Sequence, residues 1–138
     1  MRTQKSNQGF TLVEIMIVVA IIALLAAIAI PNLLRARMSS NDALAKATLR
    51  AISTAEESYG TANNGNYPTG SDLTALTSAT PPYLNSNYCS TANAAGIAGY
   101  IYSCTLTTAG YTVTASPVQV NSTGSTVETI TTGGVLTP

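Results

Sequence analysis

The sequence predicts an α+β fold in which a long N-terminal α-helix, membrane-spanning in its first half, packs through its second half on a small antiparallel β-sheet. Three observations predict it. Residues 15–30 are an unbroken run of sixteen apolar side chains. Residues 32–59 contain neither glycine nor proline and carry an apolar stripe at helical spacing. From Gly99 onward the pattern changes to strand-like alternation punctuated by glycines. The elements in order are a leader at 1–9, a spanning helix at 10–30, its amphipathic continuation at 31–59, a connecting loop at 60–98 and the sheet at 99–138.

The leader, MRTQKSNQG, is short, polar and basic, and the chain turns apolar abruptly at Phe10. Positive charge before an apolar stretch holds that end in the cytoplasm. Counted from Phe10 the apolar segment reaches about twenty residues, the length that crosses a bilayer as a helix. Glu14 is its one ionisable side chain. An ordinary secretory signal peptide is one reading, since Ala27-Ile28-Ala29 offers a small-x-small cleavage pattern before Pro31. A plain single-span anchor is another. Neither accounts for Glu14, because a carboxylate among lipid tails is costly and is retained where it finds a partner.

The residues Gly9-Phe10-Thr11-Leu12-Val13-Glu14, after a basic leader and before an apolar helix carrying Pro31, resemble the cleavage and methylation motif of type IV prepilins. The resemblance covers about the first forty residues and implies a pilin-like fold. It implies that a prepilin peptidase cuts between Gly9 and Phe10, and that Phe10 becomes the N-terminus and is methylated on its amine. It further implies that Glu14, fifth in the mature chain, pairs with the N-terminal amine of a neighbouring copy in a helical filament. A cation from an adjacent helix would offset the cost of the lone carboxylate and fix the axial register. Pseudopilins of type II secretion systems share these features and remain an alternative. A non-polymerising, membrane-tethered binding module is the alternative of another class.

Pro31 stands where the helix leaves the membrane, and a kink or a locally melted segment is expected there. Beyond it Leu34, Met38, Ala45, Leu49, Ile52, Ala55 and Tyr59 form the stripe expected to be buried. Arg35, Arg37, Asp42, Lys46, Arg50, Glu56 and Glu57 fall largely off it and read as a solvated face, or as a basic cluster meeting acids of neighbouring copies. From Phe10 to Tyr59 such a helix would run about 75 Å. Its first half cannot be buried by a small head, so it requires lipid before assembly and other copies afterwards.

The segment after Gly60 is rich in Asn, Thr, Ser, Gly and Pro and reads as a long loop. A short helix is expected at 71–78, with Ser71 as cap and Leu73 and Leu76 facing inward. Three strands are expected, at 100–106, 111–115 and 126–130. Cys89 and Cys104 are the only cysteines, with fourteen residues between them. In a chain with a membrane or export signal such a pair most often forms one disulfide, against free core thiols or a metal pair. Its loop closure would contribute about 3 kcal/mol in the chain-entropy model.

Composition narrows the function. All six basic residues lie within the first fifty positions, and residues 51–138 carry only Glu56, Glu57, Asp72 and Glu128, which leaves the head without a nucleic-acid footprint. There is no histidine, hence neither the commonest general base nor the commonest metal ligand. No nucleophile with a base, phosphate-cradling loop, metal set or cofactor motif is evident, and no enzyme activity is expected. The expected partners are further copies of the chain, the inner membrane, the peptidase and a pilus or secretion assembly machinery. A cell-surface filament or a periplasmic pseudopilus is the expected final location.

Overall fold

The computed structural model describes residues 9–90, 93 and 95–138. Residues 1–8, nearly all of the expected leader, lie outside the described residues. Helix α1 runs Leu12–Ala62, α2 is the single turn Thr74–Thr77, and four strands follow: β1 Tyr100–Thr107, β2 Gly110–Pro117, β3 Glu128–Thr131 and β4 Val135–Thr137. They form one antiparallel sheet in the order β1-β2-β3-β4. The chain divides between Arg35 and Ala36 into two compact units, and α1 contributes to both.

Pro31 lies inside α1, whose helical backbone continues through it; no melted segment forms there. Proline removes only the one donor that would serve the carbonyl four residues back, and the good helix formers on either side hold the flanking turns. The far end of α1 also differs from expectation. Gly60 is inside the helix and buried, because a Cβ at this position would lie 3.1 Å from the Tyr67 ring that packs there. Three residues later the helix does stop: Asn64 and Gly65 both take positive φ (56° and 83°), and Gly65 N–H caps the Gly60 carbonyl at 2.8 Å.

In the second unit the stripe Ala45, Leu49, Ile52 and Ala55 is buried against the sheet, with Tyr59 half-buried at its end. Leu34, expected on the same stripe, is 45% exposed and lies in the first unit, and Met38 is half-buried. Alternation along β1 buries Tyr100, Tyr102, Cys104 and Leu106, and register pairs Cys104 with Val113 and Val113 with Ile130, so one face of the sheet closes on α1. Threonine and serine occupy most of the other face.

Strand β3 begins two residues later than expected, and β4 is additional to the three expected strands. A three-residue strand behind Thr-Gly-Gly carries too little alternation to be read, yet it is ordered by pairing Ile130 with Leu136. Helix α2 is shorter than expected and Ser71 does not cap it. Asp72 Oδ1 accepts from Thr74 N–H (3.0 Å) and Asn87 Oδ1 from Leu73 N–H (3.0 Å), while Leu73 and Leu76 are fully buried. The disulfide Cys89–Cys104 ties the connecting segment to the buried face of β1.

Candidate assembly segment and the acids of the head

The first turn of α1 is closed by Thr11 and Glu14. Glu14 N–H donates to Thr11 Oγ1 (3.2 Å), and Glu14 Oε2 accepts from Thr11 N–H (3.1 Å) and Thr11 Oγ1 (2.9 Å). This is a capping box: a Thr and a Glu three residues apart satisfy one another's free helix-terminal donors. The pattern T-x-x-E before an apolar run could have revealed it in the sequence. Glu14 thus has an internal partner that sequence reasoning missed, and its Oε1 makes no hydrogen bond to the described residues.

Around this cap everything is apolar and uncovered. Phe10 is 83% exposed, and the large side chains from Leu12 to Leu33 are at least half exposed on every side of the helix. One helix among the described residues is long and apolar enough to cross a membrane, and this is it. A helix apolar all round is stable only when lipid or protein surrounds it. Gly9 is exposed, and a Cβ there would meet nothing within 4 Å, so no contact among the described residues requires glycine at this position.

The acids of the helix's second half do not lie on a solvated face. Asp42 accepts from the Tyr100 hydroxyl (2.7 Å), from Ser125 N–H (3.1 Å) and from the Ser125 hydroxyl. Burial tends to raise its carboxyl, but the Ser125 and Tyr100 bonds and the nearby Lys46 hold it below the ordinary range. Lys46 Nζ lies 3.2 Å from buried Glu128, whose Oε1 also accepts from Thr126 Oγ1. Glu57 Oε1 accepts from Tyr111 (2.9 Å) and Gly133 N–H (2.8 Å), and Oε2 from Tyr67 (2.8 Å). Burial pushes Glu57 up; the Gly133, Tyr67 and Tyr111 bonds outweigh it and leave the carboxyl lowered. Gly133 and Gly134, at φ 83° and 75°, make the β3–β4 turn that aims that N–H at Glu57. The groove beside this turn, lined by Ser53, Thr54, Ser58 and Thr61, is open, and its one carboxylate is already engaged by protein donors. Among the described residues no three metal-binding side chains come together.

The family model described as the prokaryotic N-terminal methylation motif matches residues 4–30. The chain is similar, over part of its length, to type IV pilins and to a type II secretion protein. It is 52% identical over 58 residues to the type IV major pilin protein PilA of Myxococcus xanthus, a match covering 42% of this chain and 26% of the relative. To the type IV wide pilus major component PilA4 of Thermus thermophilus it is 48% identical over 60 residues, or 44% of this chain and 46% of the relative. To the type II secretion system core protein G of Escherichia coli it is 37% identical over 90 residues, 64% of this chain and 61% of the relative. The chain therefore spans less than two thirds of the length of each of these relatives. No solved structure matches. The arrangement of a long apolar N-terminal helix on a four-stranded antiparallel sheet is pilin-like.

Proposed function

We propose that this chain is a structural subunit of a type IV pilus, anchored in the inner membrane by α1, processed between Gly9 and Phe10, methylated at Phe10 and polymerised through its apolar helix. The observation that carries the reading is Glu14: a single carboxylate, with one oxygen unbonded among the described residues, in a segment otherwise apolar and exposed on all sides and matched by the methylation motif. Cleavage frees an amine at Phe10, four residues before Glu14, and a neighbouring copy's amine can reach the free Oε1 of this acid. Charge pairing in an apolar bundle then sets the axial register between copies. Gly9 suits the same reading: the fold makes no local demand for glycine, whereas a peptidase must approach this backbone closely. The basic leader supports a cytoplasmic N-terminus. No catalytic role is assigned to the head.

N-terminal sequencing and intact mass of the purified protein test the processing. A methylated Phe10 terminus is expected; a terminus at Met1 or Ile30 would overturn it. The match to the type II secretion protein covers more of the chain than the pilin matches do, which favours a second reading as a pseudopilin. Electron microscopy of fibres sheared from cells, with peptide identification, separates the two: a surface pilus contains this chain, whereas a pseudopilin is absent from sheared material. A non-polymerising tether would leave assembled species unchanged on substitution of Glu14.

A further inference from the structure

Glu56 occupies the buried stripe of α1, one residue from the Glu57 hub, and is fully buried. Neither of its carboxylate oxygens has a hydrogen-bond partner among the described residues. Its situation is unlike that of every other acid of the head. Asp42 and Glu57 each hold several donors, Glu128 holds Lys46, and Asp72 lies exposed on the α2 turn. The groups around Glu56 supply no cation. On its own helix stands the anionic Glu57, and the segment that follows presents Tyr67, which couples to Glu56 electrostatically, and Tyr83, whose ring meets Tyr59. From the sheet Tyr111 on β2 reaches the neighbouring Ser53 and Glu57, while Glu128 on β3 is paired with Lys46, ten residues back along α1. Among the described residues the one basic side chain in an ion pair is Lys46, and Arg50 is exposed.

An ionised carboxylate without donors in an apolar interior is far costlier than the neutral acid. We propose that Glu56, fully buried with neither oxygen bonded, is an uncharged carboxylic acid in the folded head, and that its proton is a switch: loss of that proton loosens the packing of α1 on the sheet. Burial, reinforced by the charge of Glu57, pushes its carboxyl up to about 7. The sign follows from linkage. The unfolded chain releases this proton near the ordinary value of 4.5 and the folded chain only near 7, so between these the folded state holds the extra proton. Stability is then full below pH 4.5 and falls as pH rises to about 7, after which it levels off. Each unit by which the acid is raised is about a tenfold change in the folding constant.

The chain suits a clean test. It has no histidine, both cysteines are bonded, and all seven tyrosines lie at or beyond Tyr59, so their near-ultraviolet circular dichroism reports the head alone. Thermal melts of the full chain in neutral detergent micelles, followed by that signal, are expected to shift to lower temperature between pH 5.5 and 8.5. Glu56→Gln is expected to abolish most of the shift. A wild type whose melting is flat over this range, or a Gln variant with the wild-type slope, would overturn the proposal. If the Gln variant fails to fold, the apolar Glu56→Met provides the same comparison. The wild type provides a further readout: its infrared difference spectrum should show a protonated carboxylic acid at pH 6 that disappears by pH 8.5, and absence of that band at pH 6 also overturns the proposal.

Discussion

Thr11 and Glu14 cap α1 reciprocally, each side chain accepting from the other residue's backbone N–H. The acid proposed to bind a neighbouring copy therefore already organises the start of its own helix. The two roles use different oxygens: Oε2 faces Thr11, and Oε1 makes no bond among the described residues. Substitution can separate them. Glu14→Gln keeps a carbonyl oxygen for the Thr11 donors but removes the charge, whereas Glu14→Ala removes both. The expectation is that Glu14→Gln preserves amide protection in the first turn of the micelle-bound chain and still yields few or no sheared filaments. Glu14→Ala should lose both. Normal filament yield from Glu14→Gln would show that the cap, not the charge, is what assembly requires.

The sequence made the apolar span, the stripe Ala45–Leu49–Ile52–Ala55 and strands β1 and β2 legible, because each repeats a physical period over many residues. What it concealed was pairwise. Tyr100 reaches Asp42 across 58 positions and Gly133 reaches Glu57 across 76, and no local pattern announces such a partner. Helical spacing marks Glu56 and Glu57 as flanking the apolar stripe, where a charged side chain can turn to either side. Gly60 shows the same limitation. A glycine in a helical pattern signals an end, and only the Tyr67 ring seated against it shows why it is interior.

The bond between Cys89 and Cys104 fastens a segment that has little regular structure of its own. Its effect is expected to appear in the stability of the head. Constraining a loop of this size stabilises by about 3 kcal/mol through the unfolded state. Reduction of the full chain in micelles should lower the midpoint of the tyrosine near-ultraviolet transition by a corresponding amount and leave the far-ultraviolet helix signal of the apolar span largely in place. Equal midpoints for oxidised and reduced protein would mean that the loop contributes no constraint.

Gly124 is required by Tyr100. A Cβ built there would lie 2.5 Å from the ring carbons Cε2 and Cζ, well inside contact distance, in a fully buried part of the core. Gly124→Ala must displace the ring and with it the bond from the Tyr100 hydroxyl to Asp42. Overpacking of this kind typically costs about 1–3 kcal/mol. Tyr100→Phe loses the same hydroxyl bond without the clash. Melting of the double variant should therefore fall short of the sum of the two single effects, since the Asp42 bond can be lost only once. Additive losses would place the strain elsewhere.

Glu57 predicts an acid limb opposite in sign to the effect of Glu56. Although burial disfavours its charge, the bonds from Gly133, Tyr67 and Tyr111 hold its carboxyl below the ordinary 4.5 in the folded head. Asp42 is likewise lowered below 3.8 by Ser125, Tyr100 and Lys46 against the effect of burial. For such groups the unfolded chain binds the proton first, so the stability they contribute is present above the ordinary value and is lost as pH falls through the folded one. Melting of the full chain should consequently decline below about pH 4.5, where Glu57 begins to gain its proton in the unfolded state. Glu57→Gln should shrink that decline while leaving the part due to Asp42. It should also weaken the fall near neutrality, because the charge of Glu57 is one of the two causes that raise Glu56. A variant that flattens the acid limb but leaves the neutral one untouched would show that burial alone keeps Glu56 protonated.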